Sequence, residues 1–164
     1  MDRGKNIIAF AAVIIIAFIL QVVLVIADKQ ETPAKAAIAF SRAYFKLDRA
    51  MGDYLCNQIS EEAEGDVVDE YLNRTSEKAK AMGFDLNYMK KALSHLETAT
   101  EMEDENTATV KITADRKRYL NPLFGIIAQL FFLTESDGVE ETLTLVKEDG
   151  QWKVCGAPFE LVEL

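Results

Sequence analysis

The chain has 164 residues, with 18 Lys+Arg against 27 Asp+Glu, a formal net charge of -9, and 49% hydrophobic residues. That apolar share is enough to offset chain entropy and excludes a disordered or collagen-like chain. The basic residues are scattered among more numerous acids, which argues against a nucleic-acid partner, and the length fits one compact domain with one appendage.

Residues 7–27 read IIAFAAVIIIAFILQVVLVIA, with Gln21 the one polar member and no charge, Gly or Pro. At about 1.5 Å per residue the run makes roughly 31 Å of helix, the thickness of a hydrocarbon core. It lacks the polar stripe of a buried amphipathic helix. Arg3 and Lys5 before it and Val25-Ile26-Ala27 at its end also suit a cleaved secretory signal, but the apolar part of such signals is about 7–15 residues long. The greater length favours an uncleaved anchor. Lys29, Lys35 and Arg42 follow the run, so charge bias says little about orientation. A short basic tail ahead of the first apolar segment behaves as a signal anchor. On that reading residues 1–6 are a cytoplasmic tail, 7–27 a single transmembrane helix in the cytoplasmic (inner) membrane, and 28–164 an extracytoplasmic domain. Three charged residues precede position 28; the outer domain therefore carries the whole acidic excess and is repelled by anionic headgroups.

Thr32-Pro33 predicts a helix start, with Thr as N-cap and Pro at the first position, where a missing N–H costs nothing. Ala36, Phe40, Ala43, Tyr44, Leu47, Ala50, Met51, Tyr54 and Leu55 then recur at helical spacing, predicting one helix of about six turns. Gly65 interrupts the acidic stretch after Ser60. Asp66 can cap a second helix, carrying Val67, Val68, Tyr71 and Leu72 and ended by Gly83. Asp85 can cap a short third one with Leu86, Met89 and Leu93. After Ser94 the period changes to two. In NTATVKITAD, Ala108, Val110, Ile112 and Ala114 share one face of a half-buried strand. VEETLTLVK repeats the pattern with Val139, Leu143 and Leu145, and EDG at 148–150 turns the chain into QWKVC, a terminal hairpin. Helices followed by antiparallel strands make an α+β domain with its helices on one face of the sheet.

Three helices, a strand of the type NTATVKIT and a closing hairpin ETLTLVKEDGQWKV resemble the nuclear transport factor 2-like superfamily, especially its small bacterial exported domains. The resemblance covers most of residues 32–158, and its strongest element is LVKEDGQWKV at 145–154. It implies a cone, in which a curved antiparallel sheet wraps around the first helix and leaves a pocket or a dimerisation face. Fold alone does not confer activity. Between Asp115 and Gly138, where a compact member uses a short turn, this chain has an apolar insertion, DRKRYLNPLFGIIAQLFFLTESDG. Its apolar core is too short to span a bilayer. It is a core helix or strand plugging the cone, a partner surface presenting Leu123, Phe124, Ile127 and Phe131, or a contact with the same membrane. Arg116, Lys117 and Arg118 ahead of it form the one dense basic cluster of the chain.

Chemistry is sparse. Two cysteines and one His are too few for a Cys/His metal site. Outside the cytoplasm Cys56 and Cys155, 99 residues apart, can close a disulfide joining the end of the first helix to the last strand. Against it, Cys155 alternates with Trp152 and Val154, which turns it away from a core on the Trp face; two buried thiols are the other reading. Enzymes of the superfamily use Asp, Tyr and His lining the cone, which singles out Tyr44, Asp48 and Tyr54 as pocket candidates, although aromatics at helical spacing are usually core. His95 reads as a surface residue, and the acidic run Glu101, Glu103, Asp104, Glu105 as a loop without the spacing of a calcium site. No cofactor is expected. The expected function is a membrane-anchored, non-enzymatic binding or scaffold domain of the bacterial envelope, with the lipid bilayer, a membrane protein or a second copy as partners. The alternative is a small-molecule isomerase or hydrolase using Asp and Tyr in the cone.

Overall fold

The computed structural model describes residues 12–22, 31–62, 65–118, 137–156, 158, 159 and 161. The chain divides into two units, Met1–Glu31 and Thr32–Leu164. In the first, residues 12–22 are helical (α1). Its large apolar side chains are exposed on every side, from Val22 at 42% to Phe18 at 66%. The expected span 7–27 is thus described over its middle; residues 7–11 and 23–27 lie outside the described residues. Among those described, no helix is long and apolar enough to cross a membrane.

The second unit is α+β. Thr32 caps α2 (Pro33–Lys46), its side chain accepting the Lys35 N–H, with Pro at the start. Asp66 caps α4 (Val67–Ala81) by accepting from Val68 and Asp69 N–H. Both caps fall where the sequence puts them. Among the described residues, four strands form an antiparallel meander in the order β1-β2-β3-β4, with β1 at Lys91–Met102, β2 at Thr107–Arg118, β3 at Asp137–Glu148 and β4 at Gln151–Cys155. The last hairpin turns on Asp149 (φ 49°) and Gly150 (φ 81°). Two successive positive φ values are the twist-matched two-residue turn that Asp-Gly favours. α2 crosses the sheet, touching β1, β2 and β4. Between them lie Ala37, Phe40, Val110, Ile112, Leu143, Leu145 and Val154, each at most 1% exposed.

Three expectations about the helices are corrected. The first does not run six turns. It ends at Lys46 because Leu47 takes the left-handed conformation (φ 53°), and Asp48 then starts a separate 3-10 turn, Arg49–Tyr54, by accepting the Ala50 N–H. Leucine has no intrinsic preference for that conformation, so the apolar spacing runs straight through the break. A further short helix, α3 (Asn57–Glu62), follows the turn. The expected third helix is a 3-10 turn, Leu86–Met89, capped by Asp85, and Leu93 belongs to β1. Glu101 likewise lies in β1, while Asp104 organises the turn into β2 by accepting N–H groups of Asn106 and Thr107, each at 2.7 Å. Those backbone donors, Asn106 first, hold its carboxyl below the ordinary carboxylate value.

β2 and β3 extend into the two ends of the insertion, pairing Asp115 with Gly138 and Arg116 with Asp137. Leu123, Phe124, Ile127 and Phe131 lie outside the described residues.

Candidate functional site

Cys56 and Cys155 are joined in a disulfide, Cα–Cα 5.3 Å. The alternation objection fails for a topological reason. Leu55 pairs with Val154 as a parallel bridge, and the Cys56 N–H donates to the Val154 carbonyl at 3.0 Å. The chain after the 3-10 turn therefore runs along the free edge of β4, where Cys56 is the lateral neighbour of Cys155. Which sheet face is the core does not enter. Glu148 reaches the same spot and accepts the Asn57 N–H at 3.1 Å. Cys56, Glu148 and Cys155 bring their potential ligand atoms within 4.8 Å of one another. With the two sulfurs bonded to each other, that group offers a cation one carboxylate.

The three pocket candidates are not brought together. Asp48 caps the 3-10 turn (3.0 Å to Ala50 N) and borders an open groove of about 610 Å³ with Lys46, Arg49 and Lys90. Arg49 there is paired with Asp69 at 2.9 Å. Tyr54 is partly buried against the core. Tyr44 belongs to a separate, smaller pocket of about 220 Å³, between α2, α4 and the ends of β1 and β2. His95 is exposed, sits at the β1 bulge with φ 49°, and meets Asp115 at 3.0 Å.

The smaller pocket has two unlike walls. One is aromatic and apolar. Tyr44 stacks on Tyr71 (centroids 4.9 Å) and on Phe159 (4.7 Å), and Phe45 meets Tyr44 edge-on at 5.2 Å; Leu47 and Met89 complete it. The other is cationic, with Arg74, Lys78, Lys91 and Arg116 beside Thr75, and none of the described lining residues is acidic.

Each cation is there for a local reason. On α4, Tyr71, Arg74, Thr75 and Lys78 stand at i, i+3, i+4 and i+7, one face of a helix. On β2, Ala108, Val110, Ile112 and Ala114 are buried in alternation, and Arg116 is the next residue on that inward face. Cross-strand partners in an antiparallel pair share a face. The pairs Leu93↔Arg116 and Lys91↔Arg118 therefore put Lys91 and Arg118 inward too, and Arg118 lies over the Tyr88 ring at 4.5 Å. The core face of the sheet thus turns basic at this end. Burial lowers the Lys91 ammonium pKa, Arg116 and Arg118 lower it further, and Asp137 opposes them. The Nε of Arg116 is buried and makes no hydrogen bond among the described residues.

In the sequence Arg116 and Arg118 stand out as part of a basic run, and the period-two stripe before them carries the signal of where they point. Glu141 is placed by the same alternation, on the inward face between Val139 and Leu143 and opposite Ile112, and burial raises its carboxyl pKa. No protein-family model, curated protein or solved structure matches this chain.

Proposed function

We propose that this chain is a single-pass membrane protein of the bacterial envelope, whose residues 28–164 form a non-enzymatic, nuclear transport factor 2-like binding domain outside the cytoplasm. The disulfide carries this reading. A bond between Cys56 and Cys155 persists in an oxidising compartment, whereas cytosolic thiols are kept reduced. The uncharged run at 7–27 is the segment that lipid would solvate, and the all-round exposure of apolar side chains along α1 suits a helix with lipid rather than protein as its surroundings. A four-stranded antiparallel meander crossed by α2 suits the cone that the resemblance implies. A binding role accounts for the site better than catalysis does, because Asp48, the carboxylate beside Tyr44 in sequence, serves as a helix cap and borders a different groove.

The reading predicts that full-length protein stays in the membrane pellet after alkaline carbonate washing. Protease added to spheroplasts should remove a C-terminal tag without breaking the cytoplasmic membrane. A mature polypeptide that starts near residue 28 and washes free, or a tag that resists external protease until the membrane is lysed, overturns it.

A further inference from the structure

We propose that the pocket between the Tyr44–Tyr71 stack and the cations Lys78, Lys91 and Arg116 binds a small planar organic anion, its carboxylate on the cations and its ring against the tyrosines. The inference rests on the binding-domain reading above and names the class of ligand.

Charge comes first. The protein has a net charge of -9, yet Lys78, Lys91 and Arg116 line this pocket with no acid among its described lining residues. Like charges turned toward one cavity repel one another, and an anion between them removes that repulsion. One opposing charge is Asp137, the strand-register partner of Arg116 across β2 and β3, which acts electrostatically on Lys91. It belongs to the strand ladder and is not among the lining residues. Arg116 lines the pocket, and a guanidinium grips a carboxylate through two parallel N–H groups. Shape comes second. Tyr44 is stacked between Tyr71 (21° between planes) and Phe159 (18°), so the stack offers ring edges, and edge-to-face contact with them favours a flat aromatic body. At about 220 Å³ the space falls below the ~300–1,000 Å³ of sites for drug-sized molecules, which limits the ligand to about one ring with its acid group.

The test uses full-length protein in nanodiscs of zwitterionic lipid, with benzoate as the probe and benzamide as its neutral counterpart, followed by titration calorimetry. Saturable one-site binding of benzoate is expected. Benzamide should bind at least about tenfold more weakly, since a hydrogen bond to a charged group contributes roughly one to two powers of ten. Arg116→Gln should reduce benzoate affinity by about tenfold or more, and Lys78→Gln by a smaller factor. Lys78 is an exposed residue of α4, so its variant keeps the test open even if the Arg116 variant unfolds. Rising salt should weaken benzoate alone. Absence of saturable benzoate binding, equal affinity for benzamide, or unchanged benzoate affinity in both variants overturns the proposal, as does displacement of benzoate by nanodiscs of phosphatidylglycerol, which would assign the cations to a lipid phosphate. None of these results touches the fractionation and protease outcomes on which the parent reading stands.

Discussion

Replacing Cys56 and Cys155 together by alanine is expected to lower the stability of the folded unit by about 4–5 kcal/mol. Joining residues 99 apart removes much of the chain's unfolded freedom, and on the loop-entropy account a closed loop of ~100 residues contributes that much. The bond also lies where the fold needs closure. It ties the segment after the first 3-10 turn to the edge of β4, where one parallel bridge and one backbone hydrogen bond are otherwise the described main-chain links. Domains of this size are stable by only about 5–15 kcal/mol, so the variant should be marginal and its urea midpoint sharply lower, as should that of the wild type kept in reductant. A midpoint within experimental error of the oxidised wild type in both cases would show that the cross-link contributes little.

The second large effect is expected at Phe40. The ring is 0% exposed, packed 6.2 Å from Tyr44 and stacked 6.2 Å from Phe159. Phe40→Ala removes its apolar area and leaves a cavity between helix and sheet, at about 3–5 kcal/mol, whereas Phe40→Leu should be much milder because it keeps most of the volume. Because Phe40 also supports Tyr44, the aromatic wall of the pocket should loosen in the Ala variant. Denaturant titration of the two variants measures the difference. Similar midpoints for Ala and Leu would mean that the site collapses around the smaller side chain and that Phe40 is not the keystone the burial implies.

Elements with a local signal were legible in the sequence. The Thr32 and Asp66 caps, the Asp149-Gly150 turn and the alternation of Ala108, Val110, Ile112 and Ala114 each depend on neighbouring residues, so local chemistry decides them. The end of α2 was not legible. Met51 and Leu55 keep the helical spacing, and only the left-handed Leu47 and the Asp48 cap reveal that these two residues reach the core from a 3-10 turn and an edge bridge. The disulfide was half legible. Its partners could be named by counting, but the lateral pairing that permits it is set by tertiary contact between residues about 99 apart.

The site shows the same division. Tyr44 was singled out on its helix, and it does line a pocket; Asp48 and Tyr54 share its helical spacing in sequence but not its surroundings, because the chain changes conformation between them. In the sequence Arg74 and Lys78 look like solvated residues of an amphipathic helix, and Lys91 falls in the expected short third helix. Their shared property, facing one cavity, exists only once α4 packs beside the inward face of β1 and β2. An acidic total charge conceals such a cluster. Composition argues well against a long basic stripe for nucleic acid, but it is silent about four cations drawn from one helix and two strands.

The proposed function has a cross-linked domain held outside the cytoplasm by an apolar segment, and the redox state of the two cysteines in living cells tests it most directly. Cells expressing the full-length protein are quenched with acid, and free thiols are blocked with a large maleimide before and after reduction. The mobility of the protein should be unchanged by maleimide before reduction and shifted by two adducts after it. Two adducts already present without reduction, in protein recovered from the membrane fraction, would contradict the account.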